Sequence, residues 1–386
     1  MSRLNMTGSH PKQESGRSMM SPNNRTQTQL VFFIIQTQIG VGILGLPFNV
    51  FLHAKQDGWI SVLISGFMVQ VIITILWLLA KQFPDQSLFQ YTKVLTGKFI
   101  GTGINFIYII YGVLVTALIL MYSTKVIKTW MLIYTPKWIL MMLLVLTALY
   151  LAREHIDTIS NIYVVVSLLI VFLLVISFIV VGTYPVDYRY LFPVGDHFGI
   201  PWLMGAKEAY FSMLGFELIL ILYHHFKDLG SKAILKSASM ANWIVTIIYA
   251  IMMIVSTIVF SPTEIKIVPQ PVLYFVKSLN LQIIERIDLV FLSLWIVNVV
   301  TSLTSYLFLS IEGTRFFFKK LSKKKATWIL VLYGSISFSI AVLYQIDKID
   351  TYNTFVIRFS FLLVCCIPIA LLLLSFFKKK GKGASN

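Results

Sequence analysis

Charged residues are scarce in this sequence. Of its 386 residues only 12% are charged, whereas 57% are hydrophobic and the mean hydropathy is +0.81. A soluble domain of this length needs a more highly charged surface than these residues can supply. The composition therefore excludes a soluble protein and predicts an integral membrane protein.

Cysteine and the common catalytic motifs are also nearly absent. The two cysteines, Cys365 and Cys366, are adjacent within an apolar segment, so we expect no structural disulfide. No spacing typical of a zinc or iron–sulfur site occurs. The sequence also lacks a phosphate-binding loop and a paired nucleophile and base. We therefore expect no metal, no cofactor and no enzymatic activity.

Acidic residues are outnumbered by basic ones, 16 against 32, which gives a net charge of +16. Such an excess can indicate a nucleic-acid-binding protein. Here the basic residues instead cluster at the ends of apolar segments and in the tails. We therefore expect no nucleic acid as a partner, and we interpret the clusters as anchors to the anionic lipid of a bilayer.

Residues 1–28 are polar and contain no apolar core before Leu30, which argues against a cleaved signal peptide. We predict a disordered cytoplasmic tail there and a short basic cytoplasmic tail at 378–386. Between them, at 29–377, we predict an all-α domain of ten transmembrane helices. The ten apolar segments lie at about 29–52, 58–80, 101–129, 137–152, 158–182, 201–224, 238–261, 286–312, 327–345 and 354–377.

Lysine and arginine in the loops indicate the orientation. If the N-terminus is inside, most of the basic residues fall on the inner side, with large contributions from 319–325 and 378–382. An even number of helices then places both termini in the cytoplasm.

The first segment contains Gly40, Gly42 and Gly45 followed by Pro47. These residues have low helix propensity, and proline removes an amide donor. We predict that the helix unwinds near the middle of the membrane, where exposed backbone must border a cavity or other protein. In transporters such breaks hold the substrate. A glycine-rich packing face explains the same residues equally well.

A weak internal repeat supports a central site. Residues 87–95 (SLFQYTKVL) and 271–279 (PVLYFVKSL) share lysine and leucine at their seventh and ninth positions, and each is typical of a short interfacial helix. Their places in the chain fit an inverted repeat of five plus five helices, with halves at about 29–182 and 201–377.

In this repeat the sixth segment corresponds to the first. Ser212 and Gly215 could unwind it in the same way. Two interrupted helices at equivalent positions indicate a binding site between them.

The motifs at 39–47 (IGVGILGLP) and 214–217 (LGFE) resemble those of the amino acid–polyamine–organocation transporters. Within that superfamily the chain most resembles the spore germination permeases, the B subunits of nutrient germinant receptors. Further support comes from 57–59 (DGW), 84–91 (PDQSLFQY) and Trp295 before Thr301.

The resemblance, which covers roughly Gln27 to Phe377, implies a leucine-transporter-like core with helices 1 and 6 broken and a ligand between helices 1, 3, 6 and 8. It implies that Gly40, Val41 and Gly42 offer amides to a ligand carboxylate. The implied binding residues are Gly40, Val41, Gly42, Tyr111, Val115, Ser212, Met213, Leu214, Gly215, Thr301 and Ser302.

Several of these residues have a plainer explanation. Thr301 and Ser302 fall near the ion site of sodium-coupled relatives, but small residues also serve ordinary helix packing. Tyr111 could be a core aromatic residue. The predicted walls of the pocket are apolar, which indicates a small aliphatic side chain on the ligand. These wall residues are Val41, Ile43, Val115, Met213 and Leu214.

Glu217 is an acid deep within a predicted span, which makes it a functional candidate. It could bind a ligand amine, carry a proton or brace the broken helix. We favour the brace, because a freed backbone amide needs a partner.

We weigh two functions. The first, which the resemblance implies, is a receptor subunit of the spore inner membrane that binds a small nutrient, expected to be an amino acid, and triggers germination together with a larger membrane subunit and a lipoprotein. The alternative is a secondary transporter of amino acids or polyamines. Some proton-coupled relatives carry a lysine in helix 5, but residues 158–182 contain no lysine or arginine, which favours the receptor.

Overall fold

The computed structural model describes residues 25–196, 198–279, 286–318, 321–345 and 348–383, and these residues form helices and no strand. The helices are α1 (Gln27–Ile39), α2 (Gly42–Ala54), α3 (Gly58–Ala80), α4 (Leu88–Thr96), α5 (Lys98–Trp130), α6 (Lys137–Ala152), α7 (Ile156–Thr183), α8 (Ile200–Ser212), α9 (Ile219–His225), α10 (Ser231–Val259), α11 (Pro271–Lys277), α12 (Ile287–Phe317), α13 (Lys323–Leu343), α14 (Ile349–Phe361) and α15 (Ile367–Gly383). A π-helical turn at Leu362–Cys366 joins α14 to α15.

Parts of the predicted tails and basic loops lie outside the described residues. They are 1–24 of the N-terminal tail, Lys319 and Lys320, and 384–386 at the C-terminus. At the N-terminus, Thr26 caps α1 by accepting a hydrogen bond from the amide of Gln29, so the helix begins inside the stretch predicted to be a tail.

Seven helical stretches of the described chain are long and apolar enough to cross a membrane. They are Gly42–Ala80, Lys98–Trp130, Ile156–Thr183, Ser231–Val259, Ile287–Phe317, Lys323–Leu343 and Ile349–Lys378, and the apolar helix Lys137–Ala152 is shorter. The first of them contains a turn at Lys55, where φ is +48°. The prediction of an all-helical membrane protein is confirmed, and the chain crosses the membrane several times.

Ion pairs join the loops at one end of the molecule, which we call the basic end. Arg25 pairs with Asp157, Lys227 with Asp85 and Lys323 with Glu154, at 2.5, 2.7 and 3.6 Å. The hydrogen bond from Lys227, together with its charge, holds the pKa of Asp85 below its usual value. These contacts connect the stretch before α1 with the loops after α3, α6, α9 and α12.

A second set of contacts joins the remaining loops at the opposite end. The contacts run from Gln56 to the carbonyl of Pro193 (3.2 Å), from Trp130 to Gln270 (3.2 Å), from the amide of Asp187 to the carbonyl of Ile258 (2.9 Å) and from Lys137 to the carbonyl of Tyr344 (3.4 Å). Each long helix runs from one set of loops to the other.

Glycine sets the distance between α5 and α12 in the core. A Cβ atom on Gly112 of α5 would lie 2.3 Å from Ser310 Oγ and 2.7 Å from the carbonyl oxygen of Tyr306. The two helices therefore approach closely where only a glycine fits. This contact holds α12 beside the interruption that follows α1.

We predict that Gly112→Val destabilises the protein by about 1–3 kcal/mol, the usual cost of overpacking. Gly103→Val is the matched control, because it lies on the same helix and has no atom within 4 Å of its would-be Cβ. Thermal unfolding of the detergent-solubilised protein measures both. Equal melting temperatures for the two variants would contradict the close approach.

Candidate functional site

Two interruptions of the helices lie against each other. The chain leaves the helical path between Ile39 and Gly42, and again after Ser212. A Cβ atom on Gly42 would lie 2.8 Å from the carbonyl oxygen of Ser212, so this glycine is required by the close approach of two backbones. Gly215 has a φ of +127°, which L-residues rarely adopt, and its backbone packs on Thr37.

A single tyrosine hydroxyl lies within hydrogen-bond distance of three of the carbonyls that these interruptions release. The Tyr249 hydroxyl lies 3.1, 3.2 and 3.1 Å from the carbonyl oxygens of Gln38, Ile39 and Ser212. Tyr249 is fully buried on α10. It therefore ties both interruptions to one helix.

Two more side chains donate hydrogen bonds to freed carbonyls. The indole of Trp295 donates to the carbonyl of Gly40 at 3.2 Å, and the Gln38 amide donates to the carbonyl of Met213 at 3.0 Å. Because unpaired backbone groups are costly in a membrane, these bonds stabilise the non-helical conformation. Five of the freed carbonyls thus lie within hydrogen-bond distance of three side-chain donors.

The backbone amides at the first interruption, unlike its carbonyls, have no side-chain partner among the described residues. Val41 precedes α2, and among the described residues no side chain caps this N-terminus. Its first amides point out of the helix and carry a partial positive charge. An anion is the natural partner for such a group.

Glu217 is buried and accepts hydrogen bonds from three elements. Its Oε1 lies 2.8 Å from the hydroxyl of Tyr111 and 2.9 Å from that of Tyr306, and its Oε2 lies 2.7 Å from the amide of Gly215. These contacts join α5 and α12 to the interruption after α8. The role of Glu217 as a brace stays a prediction.

A cavity of about 470 Å³ adjoins both interruptions, and we call it the central cavity. Its volume is within the range of roughly 300–1,000 Å³ that is common for small-molecule sites. The predicted residues that line it are Gly40, Val41, Gly42, Val115, Ser212, Leu214 and Ser302.

Four predicted residues lie beside the lining. Tyr111 bonds to Glu217, and Gly215 packs on Thr37. Met213 is fully buried. Thr301 donates to the side chain of Gln36 at 2.8 Å.

Other lining residues were missed in the sequence, and they include Gln38, Lys125, Glu208, Phe211, Tyr306, Asp350, Asn353 and Ile357. Helical spacing could have indicated some of them. Glu208 lies four residues before Ser212, and Tyr306 lies four residues after Ser302, so each shares a helix face with a predicted residue.

The sequence profile of a spore permease family matches residues 26–350 of the chain. The description of this family is "spore germination protein". This chain belongs to the spore germination permease family. The family expected from the residues is therefore confirmed.

Curated relatives of this permease have the same description. Spore germination protein GerQB of Bacillus cereus is 29% identical over 267 residues, or 69% of this chain and 73% of the relative. Spore germination protein YndE of Bacillus subtilis (strain 168) is 24% identical over 369 residues, or 94% and 100% of the two chains. Spore germination protein B2 of the same strain is 25% identical over 378 residues, or 94% and 98%.

In this germination permease the hydroxyls of α12 are used within the protein. Ser302 Oγ lies 3.0 and 3.3 Å from the carbonyl oxygens of Gln36 and Thr37. Thr301 bonds to Gln36, which also donates to Ser167 at 3.1 Å. The described residues contain no cluster of three or more histidines, cysteines and acids that could hold a metal.

We predict that Glu217→Ala destabilises the permease by at least about 3 kcal/mol. It leaves three buried donors without an acceptor, and each buried donor left unsatisfied costs about 1–3 kcal/mol. Tyr111→Phe removes one donor and should cost less.

Glu208→Ala is the control, since the described residues contain no hydrogen-bond or ion-pair partner for that carboxylate. Melting temperature in detergent and abundance in the membrane are the measurements. A Glu217→Ala protein as stable as the Glu208→Ala protein would rule out the brace.

Proposed function

We propose that this spore germination permease is the membrane subunit of a nutrient germinant receptor. It binds a small nutrient, expected to be an amino acid, in the central cavity, and binding triggers germination. The observation that carries the proposal is the uncapped N-terminus of α2 at a cavity of about 470 Å³. The nutrient's carboxylate occupies that N-terminus, where Gly40, Val41 and Gly42 line the cavity.

We infer ten membrane crossings in an inverted repeat of five plus five helices. Two sets of contacts among the described residues support this arrangement, since loops predicted to be inside meet at the basic end and loops predicted to be outside meet at the opposite end. The interruption between Ile39 and Gly42 and the one after Ser212 are then the breaks of helices 1 and 6.

The basic end faces the cytoplasm in this proposal, and both termini lie there. In the spore inner membrane, the opposite end faces outwards. The lining includes Lys125, Gln270 and Asp350, which lie near that opposite end. The nutrient therefore enters from outside.

Contacts at the basic end support a closed cytoplasmic side. Arg25 donates to Asp157 and to the carbonyl of His225, and the His225 ring lies 3.2 Å from Glu312. These residues link α1, α7, α9 and α12 below the cavity. A receptor needs no passage there, and it passes its change of conformation to a larger membrane subunit and a lipoprotein.

The topology predicts opposite labelling of two introduced cysteines. Thr263→Cys, exposed at the opposite end, should react with an impermeant thiol reagent in intact cells. Lys324→Cys, exposed at the basic end, should react only after permeabilisation. The parent chain, with Cys365 and Cys366 in its last span, is the background control. Equal labelling of both positions would reject the ten-helix arrangement.

If the nutrient binds in the cavity, a larger side chain in the lining should weaken the response to the nutrient. Val115→Phe adds a ring at a lining position, so the nutrient concentration for half-maximal germination should rise at least about 10-fold, equivalent to about 1.4 kcal/mol. Val165→Phe is the matched control, because Val165 is 74% exposed on α7, where lipid accommodates the ring. Spore germination and membrane abundance are measured together. A normal response from abundant Val115→Phe protein would exclude the cavity as the site.

An uptake assay together with a germination assay separates the receptor from the transporter. Membrane vesicles containing only this chain are given the germinant amino acid in radiolabelled form under a sodium or proton gradient. Gradient-dependent accumulation would support the transporter. Loss of germination in a strain without the two partner subunits, with no uptake, supports the receptor.

A further inference from the structure

We propose that Glu208 recognises a cationic amine of the nutrient at a distance from its carboxylate, so that this germination permease responds to amino acids with a basic side chain. The inference rests on the proposed function of the central cavity. It changes the expected ligand class, because the apolar walls alone indicated a small aliphatic side chain.

Some polar groups that line the cavity are used within the protein, and others are not. The hydroxyls of Ser302, Tyr306 and Ser212 donate to acceptors of the protein itself. Two acceptors in the lining are left over. Gln38 Oε1 is buried and has no hydrogen-bond partner in the described chain, while the amide nitrogen of the same side chain is fixed by its bond to Met213.

Glu208 is the second acceptor left over. Its side chain is half-buried and lines the cavity, and the described residues provide it with neither an ion pair nor a hydrogen bond. An unpaired carboxylate within a membrane helix is costly unless water or a cation reaches it. Two unused acceptors beside one cavity are suited to a ligand that donates hydrogen bonds.

The cavity lining contains two other charged residues, Asp350 and Lys125. Asp350, in the first turn of α14, accepts a hydrogen bond from Tyr122 at 3.1 Å. Lys125 lies near the last turns of α5. The lining thus holds two carboxylates and one lysine, although the chain as a whole has a net charge of +16. The cavity therefore favours a cation more than the rest of the molecule does.

The position of Glu208 indicates the length of the ligand. It lies one helical turn before Ser212, whose backbone oxygen is the close neighbour of Gly42 at the start of α2. Four residues of helix rise about 6 Å, and helical side chains point towards the N-terminus of their helix, so the Glu208 carboxylate lies farther still from the N-terminus of α2. An α-amine next to the ligand carboxylate would be too close to that N-terminus to reach Glu208. An amine at the end of an aliphatic side chain fits the separation, and the apolar walls Val41, Val115 and Leu214 pack along that chain.

The two ends of such a ligand are bound by different elements. The carboxylate lies at the N-terminus of α2, and the amine lies beside Glu208 on α8. A ligand bound in this way connects the two interruptions directly. Its binding energy is then available to move α8 relative to α2, which a shorter ligand cannot do.

The test compares L-lysine with L-norleucine, which has a similar aliphatic chain but no terminal amine. Spores carry the complete receptor with this chain as their sole nutrient receptor. L-lysine should trigger germination at a concentration about 10- to 100-fold lower than L-norleucine, the range expected for a hydrogen bond to a charged group. In Glu208→Gln spores this preference should disappear, and in Glu208→Asp spores part of it should remain.

Glu264→Gln is the matched control, because Glu264 is an exposed acid at the opposite end that does not line the cavity, and its spores should keep the full preference for L-lysine. Membrane abundance of each variant is measured, and only ratios between the two amino acids are compared, so loss of protein cannot imitate the result.

The outcomes separate the inference from the function on which it rests. Equal responses to the two amino acids, both lost in Val115→Phe spores, overturn the role of Glu208 and leave the binding site intact. A preference for L-lysine that survives Glu208→Gln also overturns that role. No response to any amino acid overturns both proposals.

Discussion

Backbone groups that leave a helix inside a membrane must find partners, and this requirement organises the centre of the molecule. Tyr249, Trp295 and Gln38 donate to the carbonyls released at the two interruptions. Glu217 accepts the amide of Gly215. Since these side chains come from several helices, the non-helical backbone is stable only when the whole bundle is assembled.

Glu217 also connects the interruption after α8 to the central cavity. The same carboxylate that holds Gly215 also receives the hydroxyls of Tyr111 and Tyr306. Tyr306 lines the central cavity, so one side chain separates the cavity from Glu217. A movement of α12 at the cavity would therefore reach the interruption after α8 through two hydrogen bonds. This connection is a physical route by which binding could alter the conformation of a receptor.

Some polar groups beside the cavity have no hydrogen-bond partner among the described residues. Carbonyls at the interruptions are satisfied internally, whereas the N-terminus of α2 has no side-chain cap in the described chain. Acceptors remain at Gln38 and Glu208. Electropositive amides at one place and free acceptors at another suit a ligand with a carboxylate at one end and an amine at the other.

The sequence by itself determined the membrane class and the family, because apolar runs and short motifs such as those at 39–47 and 214–217 are local features of the chain. It also identified Glu217, since an acid within an apolar segment is conspicuous. Only the tertiary structure decided which side chains line the cavity. Tyr111 turns towards Glu217, whereas Glu208 faces the cavity, and side-chain direction depends on how helices from distant parts of the chain pack together.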